Sequence, residues 1–531
     1  MKTRLGLLSL LGVMALPLPA LAQHDATHET LGRVSFPTSC DPNVQPEFER
    51  GVAMLHSYWF GTAGRAFRAI LEKDPNCAMA YWGLAVDLLG NTLSGPPPQK
   101  DAQAAWELLE KARAARAPTE REQGWLEALR GYYRGHDSIP LETRLRRYNA
   151  AMAQLAARYP EDFEAQVLYA LTLQASAPSA DLAYTNQLKS AAMLEKLYEQ
   201  NPQHPGVSHF IIHAYDYAPL AQDGIAAARR YAGIAPAVPH ARHMPSHIYS
   251  MVGLWEDSIA SNLSSLEIQP DYYHAADFTV YAHLQLAQDV KADAMIRKAM
   301  GTPLRGDRPP SLGNFTALAA MPARYALERA DWAGAAALPV SAGSGQPQAD
   351  AVTRFARGLG MARSGNATGA KREIGALQEL RRALQSSGQT YWADRTDEQI
   401  LAVSAWVAHA EGARDQAAAL MRKAADGEDG SVKHVAMENR LYPMRELFGD
   451  LLLEMGQAKP ALQEYAAALK MTPNRFRGLN GAAMAALAAG DRQGAADYFT
   501  RLLALSKSGD GTRPEIARAK TFLEQRRDDD R

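Results

Sequence analysis

Several features that commonly indicate a function are missing from this chain of 531 residues. Its charges nearly cancel, with 57 lysines and arginines against 58 aspartates and glutamates, so the composition does not favour nucleic acid or an anionic membrane as the main partner. The chain has no Gly-rich phosphate-binding loop, no G-x-S-x-G nucleophile elbow and no H-E-x-x-H zinc motif. Long Val/Ile alternations are also missing, whereas alanine is abundant. This composition favours helix over sheet.

Cysteine is scarce as well, since Cys40 and Cys77 are the only two. In an oxidising compartment they could form a disulfide that ties the N-terminal extension to the helices that follow. Two free buried thiols are the alternative. The sequence leaves the choice open because it does not give the distance between the two residues.

The only extended apolar run lies at the N-terminus and is too short to span a bilayer comfortably. Lys2 and Arg4 make its start positive, and Ala20-Leu21-Ala22 matches a cleavage site. We therefore expect a signal peptide that is cut after Ala22, and a mature protein without a membrane span that is periplasmic or secreted. A membrane anchor is the alternative.

The chain contains an internal repeat, in which similar segments recur at a constant interval. The repeat is clearest in the C-terminal half, where a similar order of small and apolar residues follows Gly456 and then Gly490. Each unit holds two stretches of helical length with apolar residues three and four apart. Ala461, Ala468 and Ala495 stand where two helices must approach closely. One unit cannot bury its own apolar face, so the units must stack.

These units resemble the tetratricopeptide repeat, a helix-turn-helix unit of about 34 residues. The resemblance implies an all-α fold, a tetratricopeptide-type α-solenoid whose stacked repeats form a concave groove. Whole phrases also resemble an uncharacterised group of exported bacterial tetratricopeptide proteins, among them "HPGVSHFIIHAYD" and "HARHMPSHIYSMVGLWEDSIASN". Neither resemblance assigns an activity, so the question whether the chain is an enzyme stays open.

Changes in composition divide the chain into segments, and "TPLRGDRPPSLGN" is the strongest break. The predicted organisation is a signal peptide (1–22), an N-terminal extension (23–43), an N-terminal repeat block with a histidine-rich groove (44–301), a linker (302–320), a C-terminal repeat block (321–505), and a C-terminal helix with a frayed tail (506–531).

Histidines are concentrated in one part of the chain, since eight of the 14 lie between 204 and 283. One pair of histidines occurs a second time exactly one repeat later, so the two pairs occupy equivalent positions of successive units. Within each pair the residues are four apart and share one helix face. The resemblance implies that the first helix of each unit lines the groove, with both pairs projecting into it. The sequence therefore predicts a transition-metal site formed by His209, His213, His243 and His247.

Other residues in the same register could act as further ligands, or as hydrogen-bond acceptors behind the ligands. These are His240, His274, Asp277, Tyr281 and Asp216. Imidazole ligands suit zinc, copper, iron or nickel, and the sequence does not choose among these metals. Pro245 lies between two of the predicted ligands and should kink the helix or start it late.

Two other interpretations stay open. The histidines could be ordinary polar side chains of the groove or the interior, without a metal. Alternatively, the chain is an interaction scaffold whose groove holds an extended segment of a protein or peptide partner, as repeat proteins commonly do. Metal analysis of the exported protein would separate these interpretations.

Overall fold

The protein is described here from a computed structural model. It covers residues 30–115, 119–178, 180–304, 312–340, 345–432 and 440–529. Within these ranges the regular structure is helical, and no strand occurs. No helix in them is both long enough and apolar enough to cross a membrane. The predicted signal peptide lies outside the described residues.

The helices of the first part of the chain run up to residue 301. They are α1 (Gln45–His56), α2 (Thr62–Lys73), α3 (Ala78–Leu89), α4 (Gln99–Ala114), α5 (Glu120–Tyr133), α6 (Leu141–Arg158), α7 (Phe163–Ala175), α8 (Thr185–Gln200), α9 (Pro205–Tyr215), α10 (Ile225–Ile234), α11 (Pro239–His243), α12 (Pro245–Val252), α13 (Trp255–Ile268), α14 (Tyr273–Gln285) and α15 (Asp289–Gly301).

The helices of the second part begin at residue 312. They are α16 (Leu312–Glu328), α17 (Trp332–Ala336), α18 (Pro347–Arg363), α19 (Ala367–Ser386), α20 (Thr390–Ala410), α21 (Arg414–Asp429), α22 (Met444–Glu454), α23 (Ala458–Met471), α24 (Phe476–Ala488), α25 (Arg492–Leu505) and α26 (Pro514–Asp529).

The register of the sequence repeat is also the register of the helices. Helices α9, α11 and α14 begin at Pro205, Pro239 and Tyr273, so the interval from each start to the next is the same. Proline suits the first position of a helix because the N–H that it lacks has no partner inside the helix there. The histidines of successive units therefore start from equivalent points on equivalent helices.

The helix that carries the second histidine pair is broken, as its proline predicted. Helix α11 ends at His243 and α12 begins at Pro245, with Met244 between them. Proline lacks the N–H that would continue the hydrogen-bond ladder. His243 and His247 therefore belong to two short helices rather than to one.

The packing confirms the predicted fold class. Neighbouring helices of the chain pack against each other, and the first helix of a unit also packs against the first helix of the next, as in α1 with α3, α12 with α14, and α18 with α20. Such stacking is what a repeat needs in order to bury the apolar face that one unit leaves exposed. The protein is an all-α solenoid of the tetratricopeptide type.

The N-terminal extension is anchored to this solenoid. A disulfide joins Cys40 in the extension to Cys77, which directly precedes α3. Phe36 is fully buried and packs edge-on against Phe48 and Trp82. The extension is thus part of the core on the side of the molecule that carries α1.

The segment predicted as a linker is shorter than expected. Helix α16 already begins at Leu312 and packs against α14, while residues 305–311 lie outside the described part of the chain. Thr316, Ala317 and Ala320 are buried at the three- and four-residue spacing of an amphipathic helix. From residue 312 onwards the spacing of apolar residues therefore gives a helix, although the Pro- and Gly-rich composition just before it had favoured a linker.

A candidate metal centre built from two histidine trios

Six histidines meet where four helices of successive repeats pack together. Helices α9 and α11 carry two of them each, and α12 and α14 one each. Five are buried and His240 is half-buried. The six form two groups of three, and within each group the potential ligand nitrogens lie within 4.8 Å of one another. The 209 trio consists of His209, His213 and His240, and the 243 trio consists of His243, His247 and His274.

In the 243 trio, the Nε2 atoms of His243 and His247 face each other at 3.0 Å. The ring of His274 lies 4.8 Å from that of His243. His243 Nδ1–H donates to Asn262 Oδ1 at 2.6 Å, and His247 Nδ1–H donates to Asp216 Oδ2 at 2.7 Å. The side chain of Asn262 is oriented because its amide nitrogen donates to a backbone carbonyl four residues earlier. In their neutral form both facing rings therefore carry their proton on Nδ1 and turn the Nε2 lone pair toward the trio.

The 209 trio is built in a similar way. The Nε2 atoms of His209 and His240 are 3.1 Å apart, and the ring of His213 lies 4.7 Å from that of His209. His209 Nδ1–H donates to the backbone carbonyl of His56 at 2.6 Å. His240 Nδ1 shares a hydrogen bond of 2.9 Å with the hydroxyl of Tyr272. The lone pair of His209 Nε2 therefore also points into its trio.

A third cluster, formed by Glu164, His56 and His204, lies next to the 209 trio and holds one of its hydrogen-bond acceptors in place. The carboxylate of Glu164 accepts hydrogen bonds from His56 Nε2–H at 2.6 Å and from His204 Nε2–H at 2.8 Å. His204 Nδ1 accepts the backbone N–H of Val207, so the proton of this ring is on Nε2. Burial raises the pKa of Glu164, but the two facing imidazoles outweigh this effect and hold the pKa well below its ordinary value. The cluster satisfies its own polar groups and fixes His56, whose carbonyl receives the His209 proton.

Burial favours the neutral form of two histidines of the 209 trio, His209 and His240. Burial lowers the pKa of His209 to about 3. Burial, together with repulsion from the neighbouring histidines, lowers the pKa of His240 well below its ordinary value. Neutral imidazole is the form that binds a metal ion, because the metal takes the lone pair that a proton would occupy.

Aromatic side chains enclose both trios. The ring of Tyr58 lies 4.5 Å from that of His209 and stacks on His240 at 5.3 Å. The ring of Phe278 lies 4.9 Å from those of both His243 and His247. Tyr58 adopts a left-handed backbone with φ of 54°, which is unusual for a bulky residue and marks a position held by its surroundings. The aromatic rings limit the access of water to the histidines.

The structure divides the four predicted ligands between two trios instead of gathering them in one site. Each trio takes one predicted pair, and the rings of His213 and His247 come within 6.2 Å of each other where the trios meet. His240 and His274, predicted as further candidates, complete the trios. Asp216 lies behind His247 as an acceptor for its second nitrogen.

The suggestion that Asp277 and Tyr281 serve this site is wrong. Asp277 Oδ1 is paired with Arg324 Nε at 3.1 Å, and the hydroxyl of Tyr281 accepts a hydrogen bond of 2.5 Å from Arg475. Both residues come after His274 on α14, a helix that packs against α16 and α24. Their side chains therefore serve the contact with the C-terminal repeats.

The concave side of the solenoid is not an open groove at the histidines. Helix α1 packs directly against α9, so the inner helices of the first part of the chain meet each other. His209 and His243 have no exposed surface, and His274 is only 8% exposed. At this point of the described structure, the expected groove is filled by the histidines and the aromatic rings around them.

Several residues of the site could not be assigned from their own sequence context. Asn262, Tyr272 and Tyr58 are single residues in ordinary helix or turn segments, without a motif around them. His56 has one signal in the sequence, since its place in the first repeat unit is compatible with the concave surface of the solenoid. Its actual role, as the backbone acceptor for a residue 153 positions away, is visible only in the folded chain.

No family model matches this chain, and no curated protein matches it. Among solved structures it is similar to the Cut9–Hcn1 hetero-tetramer of the APC/C, with 14% identity and a TM-score of 0.37, over 91% of this chain and 78% of that one. It is also similar to the human IFIT1 dimer with m7Gppp-AAAA, with 12% identity and a TM-score of 0.40, over 81% of this chain and 90% of that one. At these values neither likeness bears on the function of the site.

Proposed function

We propose that this protein binds a transition-metal ion through the buried histidines of the 243 trio. The observation that carries the proposal is the pair of Nε2 atoms of His243 and His247 at 3.0 Å. Both Nδ1 atoms face other acceptors, so if both rings are neutral, no proton is left for a hydrogen bond between the two Nε2 atoms. Two lone pairs at this distance repel each other unless a cation lies between them.

The distances suit a metal ion. Metal–nitrogen bonds of about 2.0–2.1 Å with tetrahedral angles separate two ligand nitrogens by about 3.3 Å. The facing pairs are close to this spacing, at 3.0 Å in the 243 trio and 3.1 Å in the 209 trio. An imidazole ligand whose second nitrogen donates to a carboxylate is also the usual arrangement around bound metals. Asp216 provides it for His247.

The ligand set narrows the choice of metal. Its members are all imidazoles, which suit zinc, copper, nickel or iron and disfavour magnesium and calcium. Mononuclear iron oxygenases use two histidines and a carboxylate, and no carboxylate belongs to either trio. Of the remaining metals, copper binds such sites most tightly in the divalent series. We therefore expect copper first, with zinc and nickel as the other metals that these ligands suit.

Three protein ligands leave one position on a tetrahedral ion. In zinc enzymes this position holds water or substrate, and the ion lowers the pKa of the bound water to about 7. The 243 trio would thus provide a site for a small ligand within a largely apolar enclosure. This arrangement supports a catalytic role, although it does not select a reaction.

The proposal is tested by elemental analysis of the exported protein, purified without a chelating resin, and by titration of the metal-free protein with Zn²⁺ and Cu²⁺. We expect the wild type to contain or take up metal and His247→Ala to lose that capacity. His136→Ala is the matched control, because His136 lies outside both trios and bonds to Gln103 on the surface. A wild type that takes up neither metal would refute the proposal and leave a shared proton as the cation between the two rings.

The alternative of an interaction scaffold gains no support at the histidines. An extended peptide needs an open groove along several inner helices. Here α1 packs against α9 among the described inner helices, and five of the six histidines are buried. A partner-binding role for other parts of the solenoid stays a prediction, which retention of a partner protein by the His247→Ala variant would favour.

A further inference from the structure

We infer that the two trios together form one dinuclear centre, with one metal ion in each trio and a small anionic ligand in the open positions of the two ions. The inference rests on the proposed function, because it requires the 243 trio to bind metal. It goes further in assigning a second ion, the pairing of the two ions, and the chemical class of the ligand that they share.

The first argument is that the repeat builds the same site twice. Two histidines four apart come from one unit, and the third comes from the second position of the next unit. A shift by one repeat converts every member of the 209 trio into the corresponding member of the 243 trio. The equivalent positions are His209 and His243, His213 and His247, and His240 and His274. If one trio is a metal site, the other has the same donors at equivalent positions of the repeat.

The second argument is that one equivalent pair, His209 and His243, is oriented in the same way in both trios. His209 and His243 both donate their Nδ1 proton to a fixed oxygen acceptor outside the trio, at 2.6 Å in each case. Both therefore present the Nε2 lone pair to the interior of the trio. The two acceptors are unrelated, since one is a backbone carbonyl of α1 and the other is the side chain of Asn262 on α13. Different parts of the fold thus produce the same orientation of the two rings.

The third argument is that the trios are in contact. The rings of His240 and His243, on the same short helix, have centroids 6.0 Å apart. The rings of His213 and His247 bridge the trios from the other side at 6.2 Å. Ions in the two trios would therefore occupy neighbouring sites that share the contact between these rings. Two-metal sites use such proximity to bind one small ligand with both ions.

The fourth argument concerns charge. Two divalent ions would bring four positive charges into a largely buried site whose six candidate ligands are all imidazoles, which add no negative charge when they bind a metal. One carboxylate, that of Asp216, hydrogen-bonds to a member of a trio. Burying an uncompensated charge is costly, so anions are expected to complete the coordination. The ligand class is thus a small anion such as hydroxide, or a substrate that becomes anionic when it binds.

The inference is tested by titrating the metal-free, full-length protein with Cu²⁺ and recording electron paramagnetic resonance spectra. We expect two equivalents of copper per wild-type chain and one in each of the variants His213→Gln and His274→Gln, with His136→Ala as the control. The wild-type spectrum should be weaker or broader than the sum of the two single-trio variants, because neighbouring Cu²⁺ ions couple magnetically. Added azide should shift the visible absorption of the copper-loaded wild type.

The possible outcomes separate the inference from the proposed function. One equivalent in the wild type, lost in His274→Gln, would overturn the second ion and leave metal binding by the 243 trio intact. No uptake at all would overturn both. Two equivalents with a spectrum equal to the sum of the variants would overturn the pairing, and a wild type unaffected by azide would overturn the anionic ligand. If a variant fails to fold by circular dichroism, the stoichiometry and spectrum of the wild type still decide.

Discussion

The hydrogen bond between Asp216 and His247 provides a direct test of the reasoning about ring orientation. Asp216 is 3% exposed, and its Oδ2 accepts the His247 Nδ1 proton at 2.7 Å. The substitution Asp216→Asn keeps the size of the side chain and removes its charge. The new amide can also turn its nitrogen toward Nδ1, which would move the ring proton to Nε2 and block the lone pair that the metal needs.

Loss of such an acceptor behind a ligand typically weakens metal binding by about 10- to 100-fold. This corresponds to about 1.4–2.7 kcal/mol of binding free energy, at about 1.4 kcal/mol for each factor of ten. We expect Asp216→Asn to fall in this range, because the bond is short, buried and made to a charged acceptor, which is the stronger kind of hydrogen bond.

The affinity is measured by competition for Zn²⁺ between the metal-free protein and a chromophoric chelator. The matched control is Asp223→Asn, which removes the same charge from an exposed position on the loop between α9 and α10. Thermal unfolding of both metal-free variants shows whether the fold is intact. An Asp216→Asn affinity within twofold of the wild type would refute the orienting role, and an equal loss in Asp223→Asn would show that overall charge is responsible.

Three further predictions concern the stability of the fold. Replacing Cys40 and Cys77 by serine should lower the free energy of unfolding by about 2–4 kcal/mol in urea titrations, because the disulfide restricts the unfolded chain. A reductant that destabilises the double variant as much as the wild type would contradict this. Phe36→Ala should cost about 3–5 kcal/mol in the same assay, since the ring is fully buried among other aromatic rings, and a loss below about 1 kcal/mol would contradict the packing. Burial raises the pKa of Glu398 from its ordinary value of 4.5 to about 8, although Arg395 is paired with it. Ionisation therefore favours the unfolded chain, and the contribution of Glu398 to stability should fall as the pH rises from 4.5 to about 8. The substitution Glu398→Gln should remove this dependence of the free energy of unfolding on pH. Parallel curves of unfolding free energy against pH for the wild type and the variant would contradict the prediction.

The fold could be predicted because its signals are local. Apolar residues three and four apart, prolines at helix starts and a constant period appear in the sequence itself. The same periodicity identified the equivalence of His209 and His243, since a fixed period places both at the same turn of equivalent helices. The break at Pro245 was predicted for a similar local reason, as one missing N–H is enough to interrupt a helix.

The errors arose where one part of the solenoid covers another. Asp277 and Tyr281 are in register with the histidines, but α16 and α24 pack against their part of α14 and engage them with arginines. The predicted linker was too long for a related reason, because the contact of α16 with α14 is not encoded in the composition of the segment.

The amino-acid sequence specifies which residues can act together, through a helical repeat of constant length that holds two copies of one histidine pattern. How these histidines are grouped, buried and oriented follows from the way the helices pack. The grouping into trios depends on the spacing between neighbouring helices, the burial on the meeting of α1 with α9, and the ring orientation on acceptors that come from α1 and α13. Periodicity fixes the face of a helix on which a side chain lies, whereas the packing of distant helices determines what that face contacts.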